Sequence, residues 1–523
     1  MFSLLISIAI LVIGYFTYGK LIEKLFHPDD RKTPAYAEND GVDFVPIKLW
    51  KSYLIQLLNI AGTGPIFGAL MGAVFGPVVF IWVVLGCILG GGVHDYMTGM
   101  VSCRHKGASI AELSGIYLGS VIKWILRVFS ILLLVLVGAV FVTSPASLLA
   151  LLTPEFLNTN VWVVIIIVYY FLATLVPIDK LIGKLYPIFG AVLIIMTLGV
   201  LGGTLILYGN TIPEVNFINM HPEGLPVWPF MFITVACGAI SGFHATQSPM
   251  ISKCIESERH GRKVFYGAMV TEGIIALAWA AAGVVFYETT GGLQNALASM
   301  GQSGVVYDIS TGMLGPVGGL LAIIGVVACP ITSGDTAFRS ARLILAEIFK
   351  LPQKTIKNRL LIAIPLFLIG GALTQLNFDV LWRYFSWSNQ TLAMLALGVF
   401  TAYFLKHGKK KIYSLVTAIP CAFMGAVTMS YIIMADEGLR LGANIAYPAG
   451  IIFAAAILVV YFVFYAKTKN GVVVANPIEE KNESSQNHEE NGIKEIEENN
   501  SDTKEKKNIS SENVLKEDKE DSE

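Results

Sequence analysis

A few side chains stand where so apolar a chain has little reason to carry them. Asp95 lies beside His94 and shortly after Gly90, Gly91 and Gly92, inside a long apolar run. His244 sits among Ser241, Thr246, Gln247 and Ser248, between glycines at 238 and 242 and a proline at 249. Asp335 follows Thr332 and Ser333. An ionisable group at the centre of a membrane helix costs about 2.5–3.5 kcal/mol on insertion scales, so each asks for a reason. Imidazole titrates near neutral pH and exchanges protons readily, and its ring can also donate to a substrate carboxylate. Asp95, His244 and Asp335 are therefore candidates for carrying a coupling proton. Thr332 and Ser333 offer hydroxyl oxygens suited to a cation such as Na+. Each has a plainer alternative. Asp95 can pair with Arg104, His244 can bridge two helices, and Asp335 can pair with Arg339 one helical turn on. Glu272 reads as an interfacial anchor at the start of its segment. Gln56 and Asn59, one turn apart, suit the wall of a polar cavity.

The elements that must position these groups are apolar runs. The chain is 54% hydrophobic and only 14% charged over 523 residues, whereas soluble domains carry roughly 25% charge. The runs have the 17–25 residues needed to span a bilayer. They predict an all-α polytopic membrane protein of about thirteen transmembrane helices, near 2–20, 54–76, 78–100, 121–150, 161–177, 187–209, 228–250, 264–287, 313–336, 359–376, 386–405, 412–434 and 447–466. The first run has no cationic segment before it and no small-residue cleavage site after it, so an uncleaved helix is expected. Alternate connections hold 24 Lys and Arg, while the intervening loops hold only Arg383 and Arg440. By the positive-inside rule the N-terminus is outside and the C-terminus cytoplasmic in a multi-pass cell-membrane protein.

Three interruptions mark these helices: 61–65, with Gly62, Thr63, Gly64 and Pro65; 236–249, from Gly238 and Ser241 to Ser248; and 328–336. Glycine and proline favour nonhelical backbone, and unpaired amides in hydrocarbon are tolerated only where they line protein or a wet cavity. Kinks or tight packing are the plainer reading. The first two interruptions lie five helices apart on helices that cross in opposite senses, as in two inverted five-helix repeats. The organisation that follows is an extra helix at 1–22, a cytoplasmic loop at 23–53, repeats at 54–209 and 228–405, two further helices at 412–466 and a tail at 467–523. Substrate-binding candidates are Gly62, Thr63, Gly64, Gly238, Ser241, His244, Gln247 and Ser248. The loop segment 40–46 suits either a gate or a cap.

Residues 479–523 hold 16 acidic and 7 basic residues and too little apolar surface to offset the entropy of ordering, which predicts a disordered tail. Residues 1–478 are correspondingly basic, a charge suited to anionic lipid, with no sign of nucleic acid. The six cysteines lie in apolar runs or beside basic loops, so neither a disulfide framework nor a metal-ligand spacing is read. There is no phosphate-binding loop, no hydrolase motif and no channel filter. These absences exclude an ATP-driven pump or an enzyme, leave the catalytic and cofactor assignments empty, and point to secondary transport of a small polar solute driven by H+ or Na+. A membrane sensor or scaffold is the rival class.

Several segments together resemble the carbon starvation protein A family: Thr33–Ala35, Asp40–Pro46, Ile60–Gly68, Gly92–Met97, Arg104–Ser109, Gly242–Ser248 and Asp335–Arg339. The resemblance implies a cytoplasmic-membrane transporter induced by nutrient limitation, linked to uptake of peptides or of pyruvate with protons. It also implies a five-plus-five inverted-repeat core of LeuT-like type. In that light Gly62–Pro65 and Gly238–Ser248 resemble two unwound helices around a substrate, and Thr332 and Ser333 resemble a cation site. Thr63 stands where many members have alanine, and the helices stop near 466 where longer members continue. Pyruvate or a similar monocarboxylate is the expected substrate, with short peptides the alternative.

Overall fold

The computed structural model describes residues 1–41, 43–173, 178–353 and 355–469; the expected acidic tail falls almost wholly outside them. Among the described residues the regular secondary structure is all helix, with one isolated bridge between Ile47 and Ile255. Nine helices among the described residues are long and apolar enough to cross a membrane, or ten if the bent pair Leu49–Ala61 and Gly64–Ala73 counts as one span. Thr159–Ala173 is a shorter apolar helix.

Burial sorts these helices into centre and periphery. The most apolar windows of Val79–Arg104 and Glu258–Phe286 are each 83% buried, while that of Ala443–Lys467 is 11% buried. The outer helices turn Ile, Leu, Val and Phe outward, among them Ile451, Ile452 and Val459, which suits lipid as solvent. The inner helices carry every ionisable group singled out above. Ser120–Leu152 packs along Cys329–Ile348, and Gly267–Phe286 packs along Gly64–Ala73.

Three expectations need correction. Residues 288–312, read as an external loop, lie largely within Thr290–Ile323, a helical stretch broken by positive φ at Gly301 and Gly315. Leu293, Val305, Val306 and Ile309 are buried in it, and Thr289 caps its start by accepting from Gly292 N–H at 2.9 Å. Polar residues such as Gln294, Asn295, Ser299, Gln302 and Asp308 lower the mean hydropathy of 288–312 and hide it. The interruption expected at 328–336 is not unwound: a π-turn at Ile324–Ala328 runs into regular α-helix from Cys329. The wider turn accommodates the missing donor of Pro330 without opening the backbone. The first helix continues past residue 22, as Tyr18–Phe26.

The segment after it docks onto one end of the molecule. Thr33 Oγ1 donates to Ile255 O at 2.7 Å and Ile47 N–H to Cys254 O at 2.9 Å. Fully buried Glu258 accepts from Arg104 Nε at 3.1 Å and Nη2 at 3.0 Å and from Asp29 N–H at 3.1 Å. Among the loops poor in Lys and Arg, the one near 210–227 pairs with the N-terminus, Met1 N to Glu214 at 3.0 Å, and the one near 377–385 pairs with the one near 435–446, Arg383 to Glu437. Loops assigned by charge to one side of the membrane thus touch loops assigned to the same side.

Candidate functional site

Leu49–Ala61 stops at Gly62, whose φ of +46° and ψ of −135° suit only glycine, and helix resumes at Gly64 with a 46° bend. The second interruption is longer. Helix ends at Thr234, the backbone runs nonhelically through Gly238 (φ +86°), and helix resumes at His244. The two breaks touch. A Cβ added to Gly64 would lie 2.6 Å from Cys237 Sγ, and one added to Gly238 would lie 3.6 Å from Pro65 Cβ. The Phe141 and Phe243 rings stack edge-on at 6.1 Å beside them, and Phe141 also closes over Gly62.

An unwound segment in hydrocarbon must have its amides satisfied by neighbours. Asn389, on Phe378–His407, does this for the second break. Its Oδ1 accepts from Phe243 N–H at 2.7 Å and Ser241 Oγ at 3.1 Å, and its Nδ2 donates to Ala236 O at 2.7 Å. Its own carbonyl accepts from Gly242 N–H at 3.2 Å. A Cβ on Gly242 would collide with that carbonyl and with Ala393 N. Gly242→Ala is therefore expected to cost at least the roughly 1–3 kcal/mol of overpacking, read as a lower melting temperature in detergent together with lost uptake.

The expected proton carriers meet at this junction. His244 Nδ1–H donates to Asp95 Oδ2 at 2.8 Å, and His94 Nδ1–H donates to Asp95 Oδ1 at 2.9 Å. On the other side of the ring, His244 Nε2 faces Glu272 Oε2 at 3.4 Å, and Glu272 Oε1 accepts from Gly238 N–H at 3.1 Å. All four side chains are fully buried. The Cys237 thiol, a ring nitrogen of His244 and a Glu272 oxygen lie within 4.8 Å of one another, a gathering no sequence spacing displays. The glycines before Asp95 let its helix come this close, because a Cβ at Gly91 would strike Ala239 O.

Glu272 is thus no interfacial anchor: it is a buried partner of the second break. Nor does Asp95 pair with Arg104, which is held by Glu258, Tyr403 and His27 O. Asp335 is apart from the cluster, 3.6 Å from Arg339 on its own helix. Ser333 Oγ donates to Leu58 O at 3.1 Å just before the first break, and Thr332 Oγ1 donates to Cys329 O at 2.7 Å. Gln56 Nε2 donates to Ser248 Oγ at 3.0 Å, and Gln247 Nε2 to Thr246 Oγ1 at 2.9 Å. Thr63 is fully buried with its hydroxyl unpartnered.

The sequence matches the family model described as carbon starvation protein CstA over residues 1–155, 147–303 and 280–431. The chain belongs to the CstA family. A Bacillus subtilis relative, the peptide transporter CstA, is 26% identical over 81% of this chain and 88% of its own length. An uncharacterized membrane protein of Haemophilus influenzae is 44% identical over 56% of this chain and 93% of its own. The Escherichia coli pyruvate/proton symporter BtsT is 25% identical over 52% of this chain and 47% of its own length. Among solved structures, MhsT in complex with L-phenylalanine superposes with a TM-score of 0.52 at 14% identity, covering 79% of this chain and 98% of that one. This CstA protein is accordingly an all-α polytopic membrane protein with a LeuT-like fold. It is a secondary-active transporter and not an enzyme.

Proposed function

We propose that this CstA protein imports short peptides across the cytoplasmic membrane in symport with protons. In this reading the N-terminus is outside, 54–209 and 228–405 form the inverted repeats, and substrate binds where the two broken helices meet. One observation carries it. A buried histidine lies between two carboxylates from different helices, and one of those carboxylates holds the unwound backbone of the second break. A proton gained or lost there changes the charge that ties Glu272 to Gly238 N–H. The protonation state and the posture of the second broken helix are then linked, and substrate at the same junction feels both. Thr63, Gly64 and the start of His244–Ser252 offer helix N-terminal ends to a substrate carboxylate. The peptide preference rests on the Bacillus subtilis relative, which this chain matches over most of both lengths.

A second reading, pyruvate with protons, is favoured by the Escherichia coli symporter, matched over about half of each chain. Proteoliposomes loaded at one pH and diluted into another separate the two. The expected result is accumulation of labelled dialanine driven by an inward proton gradient and collapsed by a protonophore. Accumulation driven by sodium and blind to the protonophore would sink proton coupling and move the driving ion to Ser333, Thr332 and Leu58 O. Pyruvate accumulation with no peptide uptake would sink the peptide assignment.

A further inference from the structure

Three side-chain amides near the first break have hydrogen-bonding ends that nothing among the described residues satisfies. Asn59 is buried and neither its oxygen nor its nitrogen has a partner. Gln56, one turn earlier, spends its nitrogen on Ser248 and leaves its oxygen unpartnered. Gln247, next to that serine, spends its nitrogen on Thr246 and also leaves its oxygen unpartnered. Positions 56 and 59 lie one turn apart on the helix running into the break, and Gln56 meets the helix His244–Ser252. Buried polar atoms are nearly always hydrogen-bonded, and those that are not call for a partner from elsewhere.

We infer that this row reads the peptide backbone of the substrate, with Asn59 accepting from a peptide N–H and donating to the next carbonyl-type oxygen along the chain, the carboxylate in a dipeptide. The inference rests on the transport reading above and narrows its substrate class. A side-chain amide offers one donor end and one acceptor end in a plane. The N–H and following C=O of one extended residue face the same way and offer the complement, whereas those of a single trans peptide group point apart. Exchanging oxygen and nitrogen within any of the three side chains does not alter this: Asn59 still lacks both kinds of partner, and each glutamine still lacks one. A monocarboxylate only accepts, so it would satisfy the nitrogen of Asn59 and leave its oxygen buried and unpaired. An ammonium group only donates and fails in the opposite sense. None of the three side chains is charged, which suits a neutral group between the charged ends of a zwitterion.

The test compares dialanine with its ester analogue alanyl-lactate, in which oxygen replaces the peptide N–H while both termini remain. In wild-type proteoliposomes the ester is expected to show a KM higher by roughly 100-fold or more, since sites built to bond an N–H reject analogues that lack it. Asn59→Leu is expected to raise the KM for dialanine and to erase most of that discrimination. Equal KM values for amide and ester in the wild-type protein would overturn the inference without any variant, and leave peptide transport standing. Uptake of pyruvate without uptake of dialanine would also overturn it, while keeping the protein a transporter. Saturable uptake of neither solute would bring down the transport reading itself.

Discussion

His244→Ala protein is expected to lose proton-driven accumulation completely, and His244→Gln protein to lose it while remaining folded. The imidazole touches both Asp95 and Glu272, at 2.8 Å and 3.4 Å. Removing one member of a buried, hydrogen-bonded charge pair costs about 3–5 kcal/mol, because the partner is left uncompensated in a poor dielectric. Here two carboxylates are left. Glutamine keeps an N–H for Asp95 but cannot take up a proton and become a cation. It should therefore preserve most of the packing and remove the coupling. Melting in detergent and solute counterflow, which needs no gradient, measure the first property; uptake under an imposed pH gradient measures the second. His244→Gln protein that accumulates peptide as well as the wild type under a pH gradient would dismiss this histidine as the coupling site.

How far this site can be read from sequence differs residue by residue, for physical reasons. His244 and Asp95 are visible because an ionisable side chain inside an apolar run is costly wherever its partner lies. Their meeting is invisible, since it depends on which helices pack and on glycines such as Gly91 that permit the approach. Glu272 is misjudged because Arg262 and Lys263 seem to mark the membrane boundary close by. The helix already runs through them as a π-turn at Arg262–Tyr266, and nine residues of helix carry Glu272 about 13 Å deeper. The two unwound segments are legible as clusters of glycine, proline and polar residues, but the same composition at 328–336 marks only a π-turn followed by α-helix. Composition reports where helix is weak; it does not report whether neighbours supply the bonds that let the backbone open.

That distinction gives the second large effect, at Asn389, a residue that sequence reasoning passes over. The available signal was the polar run Ser388, Asn389, Gln390 and Thr391 inside an otherwise apolar span. Leucine at 389 is close in size, so no large cavity opens, but Phe243 N–H and Ala236 O each lose a partner. A buried group left unsatisfied costs about 1–3 kcal/mol, and both of these lie in the one segment that cannot bond to itself. Asn389→Leu is therefore expected to lower the melting temperature and to abolish uptake even where folded protein is recovered. Asn389→Asp keeps the acceptor for Phe243 N–H and, as the neutral acid that burial favours, can still donate to Ala236 O. It should fold better than the leucine variant and retain slow exchange with a raised KM. A purely structural asparagine would change stability and leave the KM of the surviving protein untouched. A positioning one shifts KM, because Asn389 sets the path of the chain from Ala236 to Phe243 and with it the place of His244.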